Sequence, residues 1–228
     1  TFTGGVESNN TAVGYNAGND ITTGVKNTLV GANTGDTITT GGYNTALGWD
    51  SLAATTVGEY NVAIGGQSML VNVDGSRNTA LGYGSLQTME PDSASDTYNV
   101  AVGFNAGLSV STGIQNTLIG GLAGDSINTG EGNTALGYKS LENNSTGDYN
   151  SAIGFQALMS YSSGDGTGHN VGIGVNTGLN VSSGTSNVLM GNFAGDGFTT
   201  GSDNVAVGTS SLSSANAGNR SVAIGSSA

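Results

Sequence analysis

Few side chains in this sequence could carry out nucleophilic chemistry. The chain has one His and no Cys, whereas nucleophilic catalysis needs a Ser, Thr or Cys beside a base that a third group orients. Ser163, Asp165 and His169 supply these residue types within one Gly-rich segment. Such a segment has no rigid element behind it, although catalytic groups must be held to within about 0.5 Å of their working positions. The residue types therefore predict no catalytic residues, and we do not expect an enzyme.

Acidic residues separated by 17 positions give a second chemical signal. Asp125 with Glu142 and Glu131 with Asp148 are two such pairs. If residues at this interval are neighbours, each pair could hold Ca²⁺ through oxygen ligands or supply the two carboxyl groups that cleave a glycan. Solvated side chains on an outer turn are the simplest alternative. We keep the four residues as candidate metal ligands, with Ca²⁺ as the one candidate ion and no other cofactor expected.

Aromatic side chains offer a third kind of chemistry, stacking against sugar rings. Tyr43 and Tyr60 have the same separation as the acidic pairs, Arg77 follows at the next interval, and Trp49 is the single Trp. The same rings would also suit the cover of a coil or a seam between chains. The sequence leaves these interpretations open.

The composition excludes several classes of partner. Four Lys and Arg stand against 16 Asp and Glu, with a formal net charge of -12, which argues against nucleic acid or an anionic membrane. No apolar stretch approaches the ~18 residues of a transmembrane helix, so we expect no membrane insertion. Aromatic residues make up only 6% of the chain. So little apolar material can form a core only if a regular repeat buries it.

The elements that must position these residues come from a repeat. A five-residue motif recurs along the whole chain. It consists of Asn, then Thr, Ser or Val, then Ala or Leu in most copies, then a bulky apolar residue and finally Gly. Ten of the twelve intervals between copies span 17 positions. The first residue of the motif, which we number position 0, is Asn10, Asn27, Asn44, Asn61, Asn78, Asn99, Asn116, Asn133, Asn150, Asn170, Asn187, Asn204 and Ser221.

The pattern around position 0 predicts a short strand in every copy. Position +1 is Thr, Ser or Val, position +3 is always bulky and apolar, and position +4 is always Gly. A unit of this length is too short for a helical hairpin repeat, which needs about 33 residues. It suits one coil of a solenoid in which like residues stack, with Asn side chains forming a ladder. We predict an all-β parallel β-solenoid, or β-roll, of about thirteen 17-residue coils.

A longer period at position +8 divides the predicted single repeat domain, 1–228, into blocks 1–90, 91–161 and 162–228. We expect the chain to be a fragment of a longer fibre. The two longer intervals place extra residues in segments 87–96 and 159–169, and insertions in solenoids form loops on one outer face. We therefore name six residues of these segments as candidate receptor contacts: Met89, Glu90, Asp92, Tyr161, Asp165 and His169.

The strands are expected to have two apolar faces, of which a thin coil can bury only one. The other face then needs a partner, and a second copy of the chain is the simplest one. We favour a parallel homotrimer.

The repeat motifs resemble those of known fibrous proteins. Ser221–Gly225 and the strings NTAVGYNAG, NTALGYKSL and NVAIGGQSM are similar to head repeats of trimeric autotransporter adhesins, and segments such as DITTGVKNTLVGANTG resemble repeats of bacteriophage tail fibres. The resemblance implies a trimer of left-handed parallel β-rolls outside the cell, on a virion tail fibre or a cell surface, that attaches to a host-cell glycan or protein receptor. A bacterial trimeric adhesin head and a glycan-cleaving tailspike are the alternatives.

Overall fold

The computed structural model describes residues 8–164, 167–213 and 218–228. The chain divides into two compact units, Thr1–Gly113 and Ile114–Ala228. Each unit is a parallel β-solenoid whose described residues form short strands joined by turns. Among the described residues, no helix is long and apolar enough to cross a membrane.

Short strands mark the coils, and one further two-stranded pairing occurs in the first unit. The strands of the first unit are β1 (Thr11–Val13), β2 (Thr28–Val30), β3 (Thr45–Leu47), β4 (Val62–Ile64), β5 (Gly75–Ser76), β6 (Thr79–Leu81), β7 (Ser95–Asp96) and β8 (Val100–Val102). Those of the second unit are β9 (Thr117–Ile119), β10 (Thr134–Leu136), β11 (Ser151–Ile153), β12 (Val171–Ile173), β13 (Val188–Met190), β14 (Val205–Val207) and β15 (Val222–Ile224).

The strands pair in parallel in the register that the repeat predicts. In the first unit β1, β2, β3, β4, β6 and β8 pair in that order, and in the second unit β9 to β15 pair in chain order. Val13 pairs with Val30, Val30 with Leu47 and Leu47 with Ile64. The predicted parallel β-solenoid with a 17-residue coil is confirmed.

Three repeat positions supply the larger inward side chains of the core, beside small buried residues at position +7 such as Ser51 and Ala106. Position +2 of the strands is buried in nearly every coil, as in Ala46 and Leu118, and the Leu or Met residues at position +8 are buried in most coils, as in Leu52. Position +11 forms a third buried column that the sequence analysis missed, because its residue type changes from coil to coil. Its buried members include Ile38, Thr55, Asn72, Met89, Val110, Ile127, Asn144, Tyr161, Val181 and Phe198.

Large and small residues alternate across this core, which explains the longer period at position +8. A Cβ added to Gly35 would lie 2.9 Å from the side chain of Leu29, and one added to Gly195 would lie 2.7 Å from that of Leu189. Leu at position +2 thus occupies the space that Leu or Met at position +8 occupies in other coils. Where position +2 is Ala and position +8 is Gly, the filling Leu can come from the next coil: a Cβ added to Gly18 would lie 2.9 Å from the side chain of Leu29.

The outer face of the strands is apolar and exposed. Positions +1 and +3 carry only Thr, Ser, Val, Leu, Ile or Met, without one charged residue. We name these two columns the outer strand face. Its most exposed large residues away from the last strand are Val13, Leu47, Leu81, Ile119, Leu136 and Met190, with 37 to 58% of their surface accessible.

The position 0 Asn residues form the predicted ladder. The backbone N–H of Asn44 donates to Oδ1 of Asn27 at 3.0 Å, and Nδ2 of Asn44 donates to the carbonyl of Gly58 at 2.9 Å. The second unit repeats both contacts: Asn133 donates through its backbone N–H to Asn116 and through Nδ2 to the carbonyl of Gly147. These side chains are fully buried, so the ladder satisfies backbone groups that no strand reaches.

The Gly at position +4 lets successive coils approach closely. Gly191 has φ +132°, and a Cβ at this position would lie 2.6 Å from the carbonyl oxygen of Gly208 in the next coil. Both the backbone angle and the contact exclude an L side chain.

Replacing this Gly with Ala tests the close approach. Gly191→Ala should lower the free energy of unfolding by roughly 2–4 kcal/mol, since the strained backbone and the clash cannot both relax. Gly164→Ala is the control, because no atom lies within 4 Å of a Cβ there. Equal thermal midpoints for the two variants would contradict the account.

Removing one rung tests the ladder. Asn133→Ala deletes the donor to Gly147 and the acceptor of the Asn150 N–H, which lies at 3.0 Å. Because buried groups lose their partners, we expect a loss of roughly 2–4 kcal/mol in a denaturant titration. Asn143→Ala removes an exposed Asn and should change stability by less than about 0.5 kcal/mol.

Candidate functional site

The first insertion is partly core and partly surface. Glu90 and Asp92 are exposed, as a receptor contact requires. Met89 is fully buried, and its sulfur accepts from Nδ2 of Asn99 at 3.4 Å. The prediction that Met89 contacts a receptor is wrong, because this residue occupies inward position +11 and the insertion begins after it.

The second insertion gives the same correction. Tyr161 also occupies position +11 and is fully buried, so its assignment to a receptor surface is wrong. His169 is exposed and lies against Tyr149, with 5.5 Å between ring centroids. Asp165 lies outside the described residues.

A buried Asn turn precedes each insertion by one coil. Asn72 Nδ2 donates to the carbonyl of Gly75, and the Gly75 N–H donates back to Asn72 Oδ1, both at 3.0 Å. Asn144 and Gly147 repeat this pair at 2.9 Å. Asn at position +11, absent from the other coils, was the sequence signal that an enlarged coil follows.

A β-bulge anchors the first insertion to the coil before it. Ser76 pairs with Asp96, 20 positions later in the chain, whereas Thr79 pairs with Val100, 21 positions later. The second strand therefore contains one extra residue between these two pairs. The extra residue lies between Asp96 and Asn99, where Thr97 is buried and donates through Oγ1 to Asn78 Oδ1 at 2.7 Å. A bulge of this kind re-aims the side chains beside it, and here it places Asp96 alongside Ser76.

The anchored insertion borders an open cleft of about 450 Å³, which we name the insertion cleft. The residues that line it come from three successive coils. They are Val57, Glu59, Ser76, Ala94, Ser95 and Asp96. None of them was named individually from the sequence, although Ala94, Ser95 and Asp96 lie in the predicted loop 87–96 and Asp96 occupies position −3, which is Gly in ten coils.

The Asp96 carboxylate is held in a fixed orientation at this cleft. Arg77 Nε lies 2.8 Å from Asp96 Oδ2, and the Tyr98 hydroxyl donates to the same oxygen at 3.2 Å. The hydrogen bond from Arg77 lowers the pKa of Asp96, opposed by desolvation and assisted by Tyr98. Asp96 is therefore a charged acceptor at neutral pH.

A column of aromatic and basic residues runs beside the cleft at position −1. Tyr43 and Tyr60 stack with their ring centroids 4.7 Å apart, and Lys26 and Arg77 lie over the two rings, each at 4.8 Å. The expected stack of Tyr43, Tyr60 and Arg77 is thus present. Both faces of the Tyr60 ring are covered, so only its edge and hydroxyl can meet a ligand.

The first acidic pair has a basic neighbour. Lys139 Nζ lies 2.9 Å from Glu142 Oε1. Burial raises the pKa of Asp125, the Glu142 carboxylate raises it further, and Lys139 opposes the shift. The ammonium group of Lys139 already supplies a positive charge where we expected Ca²⁺.

The second acidic pair is held by hydrogen bonds. Asp148 Oδ1 accepts from the backbone N–H of Glu131 at 2.8 Å, and Glu131 Oε1 accepts from the Tyr149 hydroxyl. Among the described residues, no group of three or more His, Cys, Asp or Glu side chains is arranged to hold a metal ion. Binding of Ca²⁺ by these pairs stays a prediction.

The residues considered for nucleophilic chemistry have other contacts. Ser163 Oγ is hydrogen-bonded to the Tyr161 hydroxyl and accepts from Thr167 Oγ1 at 2.7 Å. His169 lies against Tyr149 instead. The described contacts therefore give Ser163 no imidazole base.

Comparisons of the chain with protein-family models, with curated proteins and with solved structures found no match.

Two acidic residues with opposite pKa shifts give a test of the electrostatics. Burial disfavours the charged form of Asp125 and raises its pKa. The folded state is therefore favoured most at pH values below the unfolded pKa, where this carboxyl is protonated, and it loses stability as the pH rises through the folded pKa. Asp125→Asn should therefore raise the thermal midpoint at pH 7, by about 2 °C, and should match the parent protein near about pH 3.

Asp96→Asn is the matched comparison with the opposite sign. The lowered pKa of Asp96 contributes stability above the unfolded pKa, which is lost as pH falls through the folded pKa. This variant should melt below the parent protein at pH 7, and the difference should shrink in acid. Shifts of the same sign in both variants would contradict these assignments.

Proposed function

We propose that the chain is a non-enzymatic structural and adhesive segment of an extracellular fibre. It would assemble as a parallel homotrimer and serve host-cell attachment, on a virion tail fibre or a comparable cell-surface adhesin. The observation that carries the proposal is the outer strand face, an exposed apolar surface without charge in a chain of net charge -12. A contiguous apolar surface of this kind is characteristic of an interaction site.

A second copy of the chain fits the outer strand face better than an unrelated partner. An apolar side chain recurs at position +3 in every coil, beside Val, Thr or Ser at position +1, at the ~4.8 Å spacing of paired strands. Only a partner with the same spacing can match every row, and another copy in parallel orientation has it. Three chains would cover each other's outer strand faces and leave the insertions at the outside.

The stiffness that a fibre segment needs is supported by the hydrogen bonds between stacked coils. Each coil is joined to the next by strand hydrogen bonds, by the Asn ladder and by turn contacts such as the Thr39 N–H to Thr56 carbonyl bond at 3.0 Å. Bending such a unit would strain several of these bonds together. A stiff spacer that holds surface loops at fixed heights is the role this arrangement supports.

The glycan-cleaving alternative has less support. Glu131 and Asp148 accept hydrogen bonds from Tyr149 and from the Glu131 backbone, and Asp125 lies beside the ion pair of Lys139 and Glu142. Neither pair lies among the residues that line the insertion cleft. We therefore assign binding and not catalysis to the surface.

Light scattering tests the assembly. We expect a mass of about 67 kDa, three times the 22.4 kDa of one chain. Exchanging Leu47 and Leu136 together for Lys should yield monomers with an unchanged far-UV spectrum, because both side chains lie on the outer strand face. Asn143→Lys, on an exposed turn, should leave the mass unchanged. A monodisperse monomer of the parent chain would overturn the trimer.

Attachment is tested separately by adding fluorescently labelled chain to a panel of bacterial cells. Saturable coating of at least one strain is the expected result. Failure to coat any strain while the trimer persists would leave the structural role and remove the adhesive one.

A further inference from the structure

The insertion cleft combines a fixed insertion with a volume large enough for a small ligand. It is formed where the chain departs from the regular period, and the bulge at Thr97 fixes the insertion against the preceding coil. Its volume of about 450 Å³ falls within the range of about 300–1,000 Å³ that is typical of small-molecule sites.

The polar groups of the cleft can both accept and donate hydrogen bonds. Glu59 and Asp96 provide carboxylate acceptors. Ser76 Oγ accepts from the Glu59 backbone N–H at 3.0 Å, and its O–H can serve as a donor to a ligand. Arg77 and Tyr98 both bind Asp96 Oδ2, and Oδ1 is the oxygen left to accept from a ligand.

Two small apolar side chains complete the lining. Val57, which is 37% exposed, and Ala94 present methyl groups to the cleft. A ligand that fits must therefore offer C–H surface together with groups that donate to carboxylates and accept from hydroxyls. Vicinal hydroxyl groups on a sugar ring have this combination, since each hydroxyl is both donor and acceptor.

The charges of the cleft disfavour the other ligand classes. Glu59 and Asp96 repel anions, and the Arg77 guanidinium, held 2.8 Å from Asp96, disfavours a second cation at that carboxylate. A metal ion would also lack a third acidic or imidazole ligand, given the described residues. The remaining class is a neutral polar molecule.

We propose that the insertion cleft is a binding site for a neutral sugar of one or two rings, recognised by Glu59, Ser76 and Asp96 and packed against Val57 and Ala94. This inference rests on the proposed adhesive role and names its ligand class. It replaces Met89 with side chains that the structure places at the surface, and it leaves Glu90 and Asp92 outside the lining of the cleft.

Saturation-transfer NMR with methyl glucoside, methyl galactoside, methyl mannoside, N-acetylglucosamine, maltose and lactose tests the proposal on the full chain. At least one of these sugars should bind. Glu59→Gln should weaken its affinity at least tenfold, and Val57→Trp, which fills the cleft, should abolish binding. Asp92→Asn, on the same insertion but outside the lining, should keep affinity within twofold.

Three results would overturn the sugar site. One is that no sugar binds with a Kd below about 10 mM, and another is that all variants bind equally. The third is that Ca²⁺ alone binds in a manner abolished by Glu59→Gln, which would make the cleft a cation site.

The cell-coating assay separates this inference from the proposed function. If Glu59→Gln and Val57→Trp coat cells as well as the parent chain does, the cleft is excluded as the attachment site while attachment itself stands. If the parent chain coats no cells, the adhesive role fails, and the NMR titration still decides whether the cleft binds sugar.

Discussion

The amide side chain at position 0 is the group on which the stack depends. A 17-residue coil contains many turn N–H and carbonyl groups that cannot all find partners in one short strand. In most rungs one Asn side chain accepts from the backbone N–H of the next Asn and donates to a Gly carbonyl of the next coil. A register error of one position would leave these groups buried without partners. The ladder therefore specifies the pairing as well as stabilising it, which apolar contacts alone would do poorly in so thin a core.

The stacking of coils could be predicted because identical residues repeat at one interval. The strand register, the Asn ladder and the Tyr43–Tyr60 stack all follow from that interval. The inward direction could not be read in the same way, because Ala at position +2 and a bulky residue at position +3 both suit a core. Position +11 escaped notice because Ile38, Thr55 and Asn72 share burial but no chemical type. In this column the coil conformation, and not hydrophobicity, decides which side chain is inside.

The same limit explains the errors at the candidate site. Met89 and Tyr161 were grouped with the insertions because the longer intervals begin near them, yet both belong to the last inward position before the extra residues. The position of Asp96 could not be predicted from the sequence. The register of the strands after the bulge would pair Ser76 with Thr97, whereas Ser76 pairs with Asp96. A single inserted residue changes which side chains meet, and no periodic pattern carries that information. Nothing in the repeat distinguishes Glu59 and Ser76 from other outer residues, and only the insertion brings them to one cleft.

Thr97 shows how a departure from the period is accommodated. Its hydroxyl enters the Asn ladder at Asn78, and at the next rung Asn99 resumes the ordinary pattern by donating to Gly113. The extra residues fall after position +11 and before the next Asn, a stretch that supplies none of the three core columns. The number of residues in this stretch can therefore vary without changing how the core side chains of the neighbouring coils pack. A β-solenoid with this property can exchange one surface insertion for another while its core and strand register stay the same. Its binding specificity could then change much faster in evolution than its fold.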